Sequence, residues 1–237
     1  MVFSKIKFFR EKCPKLFVFF VNAQIVNKEI QSKYPTQVYF ETTRAQVYRS
    51  LLPNENFLMI PLGERGYEVP MYAWSQQLGI QAGLSKHFLI ESGLSWMQNG
   101  EAYSWKSLDT DSSYSYQTRY RYLALPLQFK YSFGKKVSFY TGAGLIPALY
   151  LSYRQDQQWT NALGAKYDDQ IKVNNTMNSF TLSWTCAAGF EIPMNPTLRL
   201  RLGLQYRQQL NNSYDPYQDY IHKSMAFCYN LGLSKKI

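Results

Sequence analysis

Hydrophobic and polar positions alternate along much of this chain with a period of two. In 198–207 the even positions are Leu198, Leu200, Leu202, Leu204 and Tyr206, and the odd ones are Arg199, Arg201, Gly203, Gln205 and Arg207. A helix would scatter five such residues around its axis; a strand puts them on one face. Met225, Phe227, Tyr229, Leu231 and Leu233 repeat the pattern against Ser224, Ala226, Cys228, Asn230 and Gly232. Phe180, Leu182, Trp184, Cys186, Ala188, Phe190 and Ile192 oppose Thr181, Ser183, Thr185, Ala187, Gly189 and Glu191. In 122–133, Leu123, Leu125, Leu127, Phe129, Tyr131 and Phe133 oppose Tyr122, Ala124, Pro126, Gln128, Lys130 and Ser132. Segments 74–85, 88–98 and 137–153 alternate more loosely, with Gly79, Gly83, Gly93, Gly142 and Gly144 on the polar or small face.

Side-chain size decides which face is outside. The second face is built of Gly, Ala and Ser with occasional ions, unlike the charged exterior of a soluble protein. The first is bulky and apolar almost throughout. An eight-stranded lumen is only just wide enough for side chains to fill, so small residues belong inside and large apolar ones against lipid. The connections near 85–87, 133–136 and 193–197 are short, whereas 99–117, 154–178 and 209–221 are long, polar and aromatic. Membrane barrels show this asymmetry between tight periplasmic turns and longer external loops. Seven strands lie between residue 74 and the end, and an even number requires one more before them. The best segment is 36–50, with Phe57-Leu58-Met59-Ile60 competing, so the first strand is placed within 36–66. The expectation is an all-β fold: an eight-stranded antiparallel up-and-down transmembrane β-barrel over 25–237, with both termini periplasmic.

Residues 1–24 read as a signal peptide. Lys5, Lys7, Arg10, Lys12 and Lys15 precede the apolar run Leu16-Phe17-Val18-Phe19-Phe20-Val21, and Ala23 is a small residue beside a cleavage point. The order basic, then apolar, then small is the one that the export machinery reads. Those 24 residues carry five positive charges and one negative, so the chain's +10 falls to +6 without them. The remaining basic residues are dispersed, which excludes the basic patch that nucleic-acid binding requires. With 20 Tyr and 15 Phe the chain is too aromatic to be disordered. Cys186 and Cys228 fall on opposite faces of non-adjacent strands, which excludes a disulfide between them. No Cys/His spacing suits a metal, and the pair Asp168-Asp169 offers too few oxygens for calcium, so no metal or cofactor is expected.

Tyr122-Leu123-Ala124-Leu125-Pro126-Leu127-Gln128-Phe129-Lys130-Tyr131, followed by Tyr140-Thr141-Gly142-Ala143-Gly144, resembles the signature of the PorT-like outer-membrane β-barrel proteins of Bacteroidetes. Glu91-Ser92-Gly93-Leu94-Ser95 and Leu231-Gly232-Leu233-Ser234 are similar to the family's preceding and closing strands. The chain departs from the pattern in ending on Ile237 rather than an aromatic, and in its weak first strand. The resemblance covers roughly 74–237 and implies an eight-stranded outer-membrane barrel. It implies no single activity, although the family's namesake serves type IX protein secretion.

Inside such a barrel Glu91, Lys130, Glu191, Arg199, Arg201 and Arg207 all point to the lumen, where they are expected to form an ion-paired plug. Arg199 and Arg201 alternatively suit an anionic ligand, which would make a small transport or binding barrel with an arginine-lined lumen. Trp105, Tyr114, Tyr116, Trp159, Tyr214 and Tyr217 are expected in external loops, suited to protein or glycan contact or to a headgroup girdle. His87 and His222 fall at opposite ends of the barrel and cannot form one catalytic pair. A hydrolase built on His222 with Ser224 or Asp219 would need groups within hydrogen-bond reach, and position alone does not assemble them. The expected function is therefore non-enzymatic: a barrel in contact with outer-membrane lipid that anchors or assists a cell-envelope complex through an envelope protein partner.

Overall fold

The computed structural model describes residues 36–53, 68–134, 136–172, 176–214 and 220–237. Its elements are β1 (Gln37–Pro53), β2 (Glu68–Val69), β3 (Met71–Gly83), β4 (Phe88–Lys106), β5 (Ser113–Ala124), β6 (Leu127–Phe133), β7 (Ser138–Thr160), β8 (Lys166–Ile171), β9 (Phe180–Pro193), β10 (Leu198–Gln209) and β11 (Tyr220–Lys236). The expected signal peptide and Phe57-Leu58-Met59-Ile60 lie outside the described residues.

Every ladder is antiparallel, and β1 pairs with both β3 and β11, which closes the sheet. Closure leaves no free edge within the ring of crossings and satisfies their backbone internally, as lipid requires; among the described residues only the short β2 and β8 pair on one side alone. β5 and β6 are one crossing, interrupted at Leu125-Pro126. Proline lacks a donor, and Leu125 N–H instead donates to Pro147 O (2.9 Å). The ring is therefore β1, β3, β4, β5/β6, β7, β9, β10 and β11: eight crossings, each beside its neighbour in sequence.

The register fixes the shape. Paired residues run from Val47 through Ala226, Arg207, Thr185, Gly144, Gln128, Glu91 and Gln81 to Gln37, ten residues earlier on the same strand. A shear of ten over eight strands gives a tilt of about 40°. The barrel is thus narrow and each residue climbs about 2.5 Å.

The first strand occupies 37–53, where its weak alternation has a clear cause. Its outward face carries Thr42, Arg44 and Gln46 among Phe40 and Tyr48, and the Arg44 guanidinium lies 4.6 Å from the Tyr72 ring centroid. Elsewhere the faces are sorted by size. Leu204 is 60% exposed, and Arg201 on the other face of the same strand is 0% exposed.

Two segments read from sequence as long loops are strand instead. β4 has 19 residues and β7 has 23, about twice the 9–11 that a tilted strand needs to cross lipid. β4 and β5 stay paired out to Lys106 and Ser113, and β8 folds back on the end of β7. Trp105, Tyr114, Tyr116 and Trp159 accordingly sit on strands projecting from the membrane, not at loop tips. Cross-strand stacking holds the extension together: Tyr103 on Tyr116 at 5.5 Å, and Trp159 on Tyr167 at 5.6 Å. Tyr214 turns inward beneath that extension, and Tyr217 lies outside the described residues.

Candidate functional site: two polar layers across the barrel axis

The inward residues nearest the short turns form a charged layer. Glu91 on β4 accepts from Lys130 Nζ on β6 at 2.7 Å and from Arg201 Nη2 on β10 at 2.6 Å. β4 and β10 are diametrically opposite in the ring, so the Arg201–Glu91 pair spans the lumen. Arg201 also lies 3.8 Å from Glu41 on β1 and 3.7 Å from Glu191 on β9. Arg199 meets the same Glu191 at 3.4 Å. Three carboxylates thus face three cations, and neutrality is what permits so many ions in so little water.

Aromatic rings complete this layer. The Arg201 guanidinium lies 4.2 Å from the Tyr39 ring centroid, and Lys130 Nζ lies 4.5 Å from that of Tyr140. These rings lie flat over the neighbouring strands, where glycine supplies the room: Tyr39 is paired with Gly79, Tyr140 with Gly189, and Gly189 in turn with Gly203. A Cβ on Gly79 would collide with Tyr39, and one on Gly189 or Gly203 would collide with Tyr140.

Above it the lumen is lined by apolar side chains: Ala45, Val47, Ala73, Ala226 and Cys228 in one cluster, and Met97, Tyr122, Ala124 and Ile146 in the other. One polar tie crosses here, from Arg207 on β10 to Asn99 on β4. Arg207 is therefore apart from the other five charged residues predicted for the lumen.

A second layer closes the end bearing the long strands. Arg49 on β1 donates to Glu68 on β2 (2.9 Å) and to Glu101 on β4 (3.1 Å). The other Glu101 oxygen lies 2.9 Å from His222 Nε2 on β11. Tyr120 and Tyr214 pack against the imidazole with centroids at 5.6 and 5.0 Å, and His222 is fully buried. Outward residues at this level are polar, among them Gln98, Arg121 and Lys223, so the layer stands above the apolar band. Burial alone would raise the Glu101 carboxyl. The hydrogen bond and charge of His222, with Arg49, hold it below the ordinary range instead.

Sequence reasoning missed Glu41, Tyr39, Arg49, Glu68 and Glu101. Glu41 and Arg49 sit on the strand with the weakest alternation, and Glu101 fell in a presumed loop. The available clue was parity, since Asn99, Glu101, Tyr103 and Trp105 continue the inward face of β4. His87 lies at the other end, its Nδ1 3.0 Å from Ser132 O. Among the described residues no cluster of His, Cys, Asp or Glu is placed to hold a metal ion.

No curated protein matches the chain. Among solved structures it is similar to Neisserial surface protein A, with 11% identity, a TM-score of 0.44, and coverage of 85% of this chain and 97% of that one. It is also similar to the outer membrane protein OprG from Pseudomonas aeruginosa (13% identity, TM-score 0.41, 86% and 95% covered). The outer membrane protease OmpT from Escherichia coli is similar at 10% identity and a TM-score of 0.40, with 86% and 94% covered. Residues 69–215, more than half of the sequence, match the outer membrane protein beta-barrel domain family, and the chain belongs to that family.

Proposed function

We propose that this outer-membrane barrel is non-enzymatic and anchors or assists a cell-envelope complex. In this reading residues 1–24 direct export, both termini and the short turns face the periplasm, and the long strands project outside. The observation that carries it is the filled lumen, cross-braced by Arg201 and Glu91 between opposite walls. A barrel so closed has its surfaces and projecting strands to offer rather than a passage. The resemblance of 120–153 to PorT-like proteins makes type IX protein secretion the complex to examine first. Affinity purification from membranes in mild detergent is the test. Stable co-purifying envelope proteins are the expected result, and recovery of the barrel alone would overturn it.

A transport or ligand-binding role for Arg199 and Arg201 is the second reading, and their carboxylate partners count against it. Planar-bilayer recordings should show no conductance above that of empty bilayer. Hydrolysis through His222 is disfavoured because two tyrosine rings and Glu101 enclose the imidazole. His222→Ala should leave lipid release unchanged.

A further inference from the structure

The outward face of β5 and β7 changes character abruptly. Leu123, Leu149 and Leu151 face lipid, and the next outward positions along the two strands are Arg121, Ser152, Arg119 and Arg154. The register shifts between Arg121 and Tyr122, so that Arg121 pairs with Ser152 while Tyr122 pairs with Tyr150, and Leu151 is the extra residue. Such a bulge re-aims side chains, and this one lies at the boundary between apolar and basic positions.

The three guanidiniums are not neutralised. Asp156 accepts from Arg119 (3.1 Å) and from Arg154 (2.9 Å), which holds those two side chains in place around one carboxylate. The group of three arginines and one aspartate therefore carries a net charge of two positive units. β9 begins at Phe180, paired with Leu149 below the arginines, and on the other side Asp168 and Asp169 of β8 line a groove with Arg154 and Asp156, so the basic positions nearest the apolar wall are Arg121 and Arg119.

We propose that Arg119, Arg121 and Arg154 form a binding site for the phosphate of an anionic lipid headgroup, whose acyl chains run down over Leu123, Leu149 and Leu151. Charge complementarity selects the headgroup, and continuity with the lipid-facing wall selects a lipid over a dissolved anion. Guanidinium forks suit phosphate oxygens better than ammonium groups do, which favours arginine at all three positions.

The test uses the full barrel in phosphatidylcholine vesicles, with spin-labelled phosphatidic acid or spin-labelled phosphatidylcholine as the probe. Basic residues at a membrane surface contribute about fivefold each in affinity for anionic lipid, so the net two positive charges predict a preference for phosphatidic acid of about 25-fold. Arg121→Gln should reduce it to about fivefold, and Arg119→Gln with Arg121→Gln, which leaves no net charge, should abolish it. Lys223→Gln, on another part of the wall, should leave it unchanged. Retention of the heat-dependent shift in electrophoretic mobility checks that each variant is folded. Equal association of both labels with the native barrel would overturn the proposal. So would an equal loss in Lys223→Gln, which would mean diffuse charge, or full displacement of the label by millimolar inorganic phosphate, which would mean a site for a soluble ion.

Discussion

The two polar layers use the same residue types to different structural effect. In the layer near the short turns, Arg201 and Glu91 join opposite walls, and every charge has a counter-charge among six ions, five of them buried and only Arg199 in contact with water. In the layer near the long strands, Arg49, Glu101 and His222 join walls two or three positions apart in the ring, and Glu68 keeps contact with water. A diametric tie resists ovalisation of the whole cylinder, whereas a chord fastens one sector of the rim. The lower layer therefore sets the barrel's cross-section and the upper one holds its mouth.

The comparison predicts its own largest effect. Arg201→Met leaves Glu41, Glu91 and Glu191 sharing a dry space with too few cations. Removing one partner from a buried ion network costs about 3–5 kcal/mol. Urea unfolding of the vesicle-reconstituted barrel should show a loss in that range. A loss below about 1 kcal/mol, the scale of an exposed pair, would mean that the lower layer is no brace.

Which residues were legible beforehand follows from the same geometry. Glu91, Lys130, Glu191, Arg199 and Arg201 lie on strands whose outward faces are mostly apolar, with only small residues such as Ser92 and Ala188 interrupting them, so parity assigned them to the lumen. Arg49 and Glu41 escaped because Thr42, Arg44 and Gln46 blur the two faces of β1. The approach of Glu101 to His222 spans 121 residues and depends on the ring closing at a particular shear, which no local pattern contains. The aromatic run near 99–117 resembled loop chemistry because strands projecting beyond lipid have no apolar outer face to mark them.

Arg49→Met is the matching probe of the upper layer. Glu68 can turn to water when its partner is removed, so only Glu101 is left stranded beside His222. A loss of about 2–3 kcal/mol is expected, smaller than that of Arg201→Met. Equal losses in the two variants would erase the distinction between brace and rim.

Acid should separate the layers too. The Glu101 carboxyl is held below its ordinary value of 4.5, so its stabilising contribution is fully present above that value. It is lost as the pH falls through the lowered value of the folded state. Charge-assisted hydrogen bonds of this kind contribute about 1.5–3 kcal/mol, and this one lies at the solvent end of the lumen. Hydrogen-exchange protection at the rim, around Glu101 and His222 and taken relative to the intrinsic rate at each pH, should therefore fall below pH 4.5. Glu101→Gln should lower rim protection at neutral pH and remove that acid step, while an unaltered step would place the titration elsewhere.

The smallest effect tests whether the lower layer's fit is as tight as its charge balance. Gly203 faces the Tyr140 hydroxyl, and an added Cβ would strike that oxygen first, with Ala188 O next at 3.2 Å. The obstruction is the far end of a side chain and not backbone, so Tyr140 can tilt, at the expense of its stacking on Lys130. Gly203→Ala should then cost about 1 kcal/mol, the low end of overpacking. Tyr140→Phe removes the struck atom and keeps the ring. Combined with Gly203→Ala it should recover most of the loss, whereas it cannot relieve an Ala at 189, where Leu202 O is the nearest atom. Recovery at 203 without recovery at 189 would show that the ring's position sets the clearance of this wall. Failure at both would mean that the glycines serve the backbone ladder alone, and that the tyrosine merely occupies the space they leave.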